Sequence, residues 1–359
     1  MTVKQRERVL VWGLSNNRAG TEAVICNYVK SLPEIGFDFL CYDVPANHAD
    51  LFRNGKNRYF VIPIKIKHPL KNQIALRKFM KDNASKYSAL WFNVNEISNI
   101  DLLKLAKQYE IPQRITHMHS PHFPDVFITK LFSQINWKSC LDLTTDYWAC
   151  SEEAGNFLFK ERPFCIIPNM VDDKSNSFSL EKRKNIRNQW KIDDCFVIGT
   201  VGRLAEEKNH EFLIRLLPSL RDAMKNVKVV IVGDGPLKEH LLSLVESLNV
   251  ANQIIFAGSQ HDIQGYLSAF DVFAFPSWYE GLSLSILEAQ YNELPCVVSE
   301  GIGESSVIST NLIKIPLNNE KAWAKALLSA KRTPRSLIED KAKLYRLDNI
   351  RDISLTLFR

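Results

Sequence analysis

Val272-Phe273-Ala274-Phe275-Pro276-Ser277-Trp278-Tyr279-Glu280-Gly281-Leu282-Ser283-Leu284-Ser285-Ile286-Leu287-Glu288-Ala289 reads as an apolar strand, a turn and the opening of an amphipathic helix. Two glutamates, Glu280 and Glu288, bracket the passage from strand to helix. In open α/β sheets ligands bind at such passages, because helix N-terminal amides and glycine backbones converge at the carboxyl ends of the strands. On one straight helix the two carboxylates would stand about 12 Å apart along the axis and about 80° apart in direction. A glycosidase pair needs roughly 5–9.5 Å. The spacing therefore disfavours two carboxylates acting on one bond. It suits two groups that grip hydroxyls at separate points of an elongated ligand.

The same alternation runs through nearly the whole chain. Strand-like runs fall at 9–13, 37–42, 59–63, 89–93, 113–116, 147–150 and 165–168, and resume at 196–201, 227–232, 253–257, 272–275, 296–298 and 312–315. Helical patterns lie between most of them, which predicts an α/β fold of parallel sheets with helices on both faces. A chain of 359 residues exceeds the usual single core, and the polar stretch Asp172 to Lys184 is its best linker. Two domains are expected, 1–170 and 171–340, followed by a helix-like tail at 341–359.

Composition narrows the class. Hydrophobic residues at 45% and charged residues at 24% are ordinary for a globular protein. No apolar run approaches the ~20 residues that span a bilayer, and the polar start does not read as a signal peptide, so a cytoplasmic protein is expected. The seven scattered cysteines form no Cys-x-x-Cys pair and read as buried small residues in a reducing compartment. The net charge of +6 lies in the first half, where residues 1–170 carry 22 Lys and Arg against 16 Asp and Glu. Arg53 to Lys86 holds ten basic residues and one acid, Asp82, interleaved with Leu70, Ile74, Leu76, Phe79 and Met80. This reads as a basic amphipathic helix, either a solvated face or a contact for an anionic membrane surface. Nothing in the pattern points to nucleic acid.

The candidate chemical groups fall in strand-to-helix turns. Gly202-Arg203-Leu204-Ala205-Glu206-Glu207-Lys208-Asn209 follows the first strand of the second half, so Arg203 and Lys208 share one loop with a helix start. A diphosphate there would gain two cations and helix amides. Gly233-Asp234-Gly235-Pro236 imitates a dinucleotide fingerprint, but Lys238 stands where the third glycine belongs, so the NAD signal is weak. The turn from Phe256 through Gly258 to Ser259 could line a base pocket. In the first half, Ala19-Gly20-Thr21-Glu22 opens a helix, and a glycine there lets a ligand approach the backbone. His117, His119 and His122 follow a later strand. With no acid or cysteine beside them, a metal site is disfavoured. One polar histidine donating to a ligand is the better reading, with His117 and His119 both open.

Taken together, these pieces resemble the retaining glycosyltransferases of family 4, of the bacterial exopolysaccharide and capsule type. The resemblance rests on Gly20-Thr21-Glu22, His117-Met118-His119, Ala149-Cys150-Ser151-Glu152-Glu153-Ala154-Gly155, Ile167-Pro168-Asn169-Met170-Val171-Asp172, Arg203 with Lys208-Asn209, Gly233-Asp234-Gly235-Pro236, and Glu280 with Glu288. It implies the GT-B fold, two facing Rossmann-like domains with a cleft between them, the first for the acceptor and the second for a sugar nucleotide. It also implies catalysis without a metal or other cofactor, in keeping with the lack of an Asp-x-Asp triplet. Arg203 and Lys208 would hold the departing diphosphate, Glu280 the donor sugar and Glu288 the ribose. The backbones of Gly20, Gly233, Gly258, Gly281, Leu282 and Ser283 would line the donor, and His117 or His119 would face the donor sugar. The donor would be a UDP-sugar and the acceptor a polyprenyl-diphosphate-linked glycan, met at the inner face of the membrane. Ala19 replaces the first glycine of the usual pair and Met170 a usual glycine, without removing a group assigned to chemistry. A sugar-nucleotide epimerase of the same fold and a non-catalytic partner subunit are the rivals.

Overall fold

The computed structural model describes residues 8–16, 20–123, 126–171, 176–280, 282–332 and 345. The chain divides into two compact units between Met170 and Val171. The expected terminal helix at 341–359 lies outside the described residues, apart from Tyr345.

The first unit runs β1 (Arg8–Trp12), α1 (Gly20–Ser31), β2 (Gly36–Cys41), β3 (Arg58–Val61), α2 (Pro69–Asn83), β4 (Tyr87–Val94), α3 (Asp101–Gln108), β5 (Gln113–Met118), α4 (Phe127–Leu143), β6 (Asp146–Ala149), α5 (Glu152–Phe159) and β7 (Cys165–Ile166). The seven strands are parallel in the order β3-β2-β1-β4-β5-β6-β7. Central strands covered on both faces are mostly apolar, and the middle of β4 is so: Ala89, Leu90, Trp91 and Phe92 are all buried. One charge breaks that rule. Asp38 in β2 is fully buried and is held by Arg8 Nε at 3.0 Å, Arg58 Nη2 at 2.7 Å and the Tyr87 hydroxyl at 3.0 Å. The partners supply the hydrogen bonds that a buried carboxylate requires. The basic helix α2 differs from its expected single apolar face. Leu76, Phe79 and Met80 enter the core, whereas Leu70 and Ile74 point to solvent.

The second unit runs α6 (Leu180–Trp190), β8 (Phe196–Val201), α7 (His210–Ala223), β9 (Val227–Val232), α8 (Lys238–Ser247), β10 (Ile254–Gly258), α9 (Ile263–Ala269), β11 (Val272–Phe275), α10 (Leu284–Tyr291), β12 (Cys296–Ser299), β13 (Leu312–Ile315) and α11 (Glu320–Ser329). Its six strands are parallel in the order β10-β9-β8-β11-β12-β13. One core packs Ile198, Val229 and Val272 against Leu213, Leu217 and Trp323. Another packs Val197, Val230 and Phe273 against Phe270, Ile286 and Ala289 on the opposite face. Both sheets thus reverse direction beside their first strand, at β1/β4 and at β8/β11. That reversal opens a crevice at the strands' carboxyl ends, where doubly wound sheets take ligands.

Candidate functional site

In the second unit the reversal point brings together the two loops singled out in the sequence. Arg203 and Lys208 follow β8, and Glu280 and Glu288 follow β11. A short helical turn, Glu206–Lys208, ends on Asn209 in a left-handed conformation with φ +50°. Asparagine tolerates that region better than most residues. Its side-chain amide donates to Pro276 O at 3.2 Å, and Trp278 N donates to Glu207 O at 2.9 Å, so the β8 and β11 loops are tied together. Lys208 Nζ donates to Glu280 Oε1 and lies 5.1 Å from the centre of the Phe275 ring. Both members of the pair are about four-fifths covered. Arg203 is exposed and has no side-chain hydrogen bond or ion pair among the described residues. The β8 loop therefore offers an unengaged guanidinium and an ammonium already held by a carboxylate.

The backbone of Glu280 is fixed from below. Its N donates to Gly301 O at 3.0 Å, and Gly303 N donates to Glu280 O at 2.8 Å. Glu288 sits one turn into α10. It keeps partial exposure, yet burial of its carboxyl pushes the pKa up to about 7, and no described residue bonds to it. A carboxylate left without a partner in such a place can accept from ligand hydroxyls.

The glycine turns beside these loops are of two kinds. Gly233 has φ +141°, and a Cβ there would lie 1.9 Å from Gly202 O, so packing alone demands glycine. Its N donates to Gly258 O at 2.9 Å, which joins the ends of β9 and β10. Gly258 has φ +70° and faces open space. Expectations for the next segment need correction. Ser283 N is engaged by Ser306 Oγ at 2.9 Å, and Leu282 is buried in a small core with Leu287 and Tyr291. The Ser283 amide is therefore not free for a phosphate, because the following loop has already satisfied it. Gly281 lies outside the described residues.

In the first unit, Gly20 begins α1, is exposed, and a Cβ there would touch nothing. The chain's own packing does not require glycine at this point. His117, one of the two histidines left open by the sequence, is fully buried, and its Nδ1 accepts from Trp91 Nε1 at 3.3 Å. Burial and the neighbouring His119 hold its pKa well below the usual imidazole value. This corrects the expected direct contact, since a side chain with no exposed surface supports the sheet instead. His119 is partly exposed, and the two rings lie 4.1 Å apart. Its Nε2 meets Asn93 Oδ1 at 2.9 Å, and burial pushes its pKa down to about 3. Of the two histidines, only His119 reaches the surface, and it does so as a neutral ring. Asn93, which orients it, was not anticipated. Its only signal in the sequence is a polar residue closing the apolar run Ala89 to Phe92. Another unanticipated residue is His210, buried beside Lys208, its pKa lowered to about 4 by burial and by that cation.

Among the described residues no group of three or more His, Cys, Asp or Glu side chains is placed to hold a metal ion. No described helix is long and apolar enough to cross a membrane.

Residues 182–344 match the family model described as glycosyl transferases group 1. This corrects the resemblance to family 4. The residues that carried it are strand-end positions set by the shared architecture, and they do not separate one family from another. The EpsF protein of Bacillus subtilis (strain 168) is 29% identical over 350 residues, covering 90% of this chain and 88% of EpsF. The UDP-Gal:alpha-D-GlcNAc-diphosphoundecaprenol alpha-1,3-galactosyltransferase of Escherichia coli is 31% identical over 176 residues, covering 45% of this chain and 44% of its own. Among solved structures, Anabaena HepE in complex with UDP-glucose superposes with a TM-score of 0.74 at 19% identity, covering 98% and 99% of the two chains. The fold, two Rossmann-like parallel-sheet units, is GT-B, and the chain is a glycosyltransferase of that type.

Proposed function

We propose that the protein is a retaining glycosyltransferase that moves a sugar from a UDP-sugar to a hydroxyl of a polyprenyl-diphosphate-linked glycan, extending a surface polysaccharide. The observation that carries this reading is the β8/β11 reversal point, where Arg203 stands unengaged beside the Lys208–Glu280 pair. In this reading the second unit, from residue 171 to 340, binds the donor and the first, 1–170, the acceptor. Arg203 and Lys208 neutralise the diphosphate as the glycosidic bond to it breaks, which is where charge develops in the transition state. Glu280 orients Lys208 and accepts from donor hydroxyls, and Glu288 accepts from the ribose. Gly233 and Gly258 let the nucleotide approach the strand ends, and Gly281 and Leu282 border the sugar. Gly20 lets the diphosphate approach α1. His119 faces the donor sugar, positioned by Asn93 and backed by His117. The departing phosphate oxygen takes the acceptor hydroxyl's proton on the same face, so the anomeric configuration is kept without a metal. The Escherichia coli galactosyltransferase, named for a diphosphoundecaprenol-linked acceptor, and HepE, solved in complex with UDP-glucose, support the choice of substrates. We place the enzyme in the cytoplasm, peripheral on the inner face of the membrane.

The test is to incubate purified protein with a panel of UDP-sugars, with and without polyprenyl-diphosphate-linked acceptor, and to measure UDP release and the anomeric proton coupling of the product. UDP release only with acceptor, and a product with the donor's configuration, is the expected result. Interconversion of free UDP-sugars would replace this reading with that of an epimerase.

A further inference from the structure

We infer that the outer face of α4 is a membrane-insertion surface that seats the first unit on an anionic bilayer. The helix is built inside out. Its second half packs Trp137, Cys140 and Leu141 into the core, but the inward side of its first half is polar: Ser133 Oγ accepts from Ile97 N at 3.3 Å and donates to Glu96 Oε2 at 3.2 Å. Asn136 Nδ2 donates to Ile97 O at 3.0 Å and Ser98 O at 2.9 Å. Its outward side carries Phe127, Ile128, Leu131, Phe132 and Ile135, each between 42% and 79% exposed. The spacing puts all five on one stripe. A helix on a water-facing surface shows the opposite arrangement, and a contiguous apolar patch of this kind marks an interaction surface.

Charge selects the occupant. The acid of α4 is Asp142 in the last turn, paired with Arg162 at 3.0 Å, while Lys130 and Lys138 are exposed on the same helix. Between them, α3 touches both α2 and α4 and exposes Lys104 and Lys107. On α2 and the loop before it, Ile66, Leu70 and Ile74 are exposed beside exposed Lys67, Lys71 and Lys81, while Lys78 pairs with Asp82 at 2.8 Å. Right-handed crossovers place α2, α3 and α4 on one side of the sheet, each beginning at the strands' carboxyl ends. The apolar starts of α2 and α4 therefore lie toward the edge where Asn93 and His119 sit. An apolar stripe with lysines beside it, and with its two nearest helix acids, Asp82 and Asp142, each held by a cation, fits an interface of acyl chains and anionic headgroups, in which the helix lies in the plane of the membrane. A bilayer at this edge would present a lipid-anchored acceptor to the first unit. In that role the inference rests on the proposed acceptor, but its test does not.

Vesicle flotation decides the matter, using the full chain without donor or acceptor. Vesicles of phosphatidylcholine alone are compared with an equimolar mixture of phosphatidylcholine and phosphatidylglycerol. The protein should float with the mixed vesicles and remain largely behind with phosphatidylcholine alone. Phe132→Ser combined with Ile135→Ser should reduce the partition coefficient on the order of tenfold or more. Both side chains are already solvated, so the circular dichroism spectrum and melting temperature should hold. Lys130→Glu combined with Lys138→Glu leaves the stripe intact and should weaken flotation several-fold on the mixed vesicles only. No flotation of the parent protein, or equal flotation of all variants, overturns the inference. So does a stable dimer in sedimentation velocity that the Phe132/Ile135 variant splits, because the stripe would then be covered by a second copy. Flotation with no sugar transfer would fault the enzymatic reading alone.

Discussion

Lys208 Nζ donates to the carboxylate of Glu280 across 72 residues of sequence, joining the loop after β8 to the loop after β11. The pair fixes an ammonium at the point where the second sheet reverses its strand order. Arg203, on the same loop, has no side-chain partner among the described residues. One cation is therefore preorganised and the other waits for an anion.

That difference predicts two separable variants. Arg203→Ala should leave thermal stability unchanged and lower kcat by about 10²–10³-fold, as for a lost charge stabiliser. Lys208→Ala should lower kcat similarly and also lower Tm, because Glu280 then loses its partner. Adding Glu280→Gln to Lys208→Ala should recover part of the lost Tm without recovering turnover. Differential scanning fluorimetry beside steady-state kinetics checks the pattern, and normal turnover in both single variants would remove these residues from the mechanism.

Glu288 gives a pH dependence with a defined sign. Its pKa rises from 4.5 to about 7 on folding, so the folded state holds a proton that the unfolded chain has released. Stability therefore falls as pH rises between about 4.5 and about 7. Glu288→Gln should flatten that slope and raise Tm above pH 7. If the carboxylate accepts ribose hydroxyls, the affinity for UDP measured by calorimetry should increase over the same rise in the parent and not in the variant.

The two histidines should part company. His117→Ala removes a fully buried ring beneath the sheet edge and should cost about 2–4 kcal/mol in urea unfolding. His119→Ala should cost less stability and more kcat. Because its pKa lies at about 3, His119 is neutral throughout the working range, and the pH–rate profile between 5 and 8 should keep its shape in a His119→Gln variant. Loss of an acidic limb in that variant would show that the ring titrates during turnover.

Glycine substitutions separate packing from ligand approach. Gly233→Ala meets both a positive φ and the Gly202 carbonyl, and should destabilise by several kcal/mol, at least about 2. Gly20→Ala meets open space and should melt like the parent, while raising the KM for the donor severalfold if the diphosphate passes close to α1. Equal melting of both variants would contradict the geometry at Gly233.

Much of this was legible in the chain. Each of the thirteen strands among the described residues overlaps a run that could be read directly, most plainly the central ones such as β4 and β9, which are covered on both faces and therefore mostly hydrophobic. The gathering of Arg203, Lys208, Glu280 and Glu288 at one sheet edge was legible for a related reason. The first three stand in turns between a strand and a helix and Glu288 in the first turns of the helix that follows, and in a parallel sheet all such turns share one edge. His117 and His119 were not distinguishable, because alternation along β5 sends neighbours in and out while the strand's end is set by its partners. Ser283 was misjudged because the hydroxyl that occupies its amide, Ser306, lies 23 residues away.

The sequence by itself determined the alternation of strands and helices, and with it the edge at which polar groups could gather, since both follow from local periodicity and chain direction. Tertiary structure alone decided which groups are spoken for: Lys208 by Glu280, the Ser283 amide by Ser306, His117 by the sheet interior. It also decided that α4 turns Ser133 and Asn136 inward and its phenylalanines outward. The physical reason is that hydrogen bonds and burial are settled between residues far apart in sequence, and a helix's apolar stripe does not itself say which way it faces.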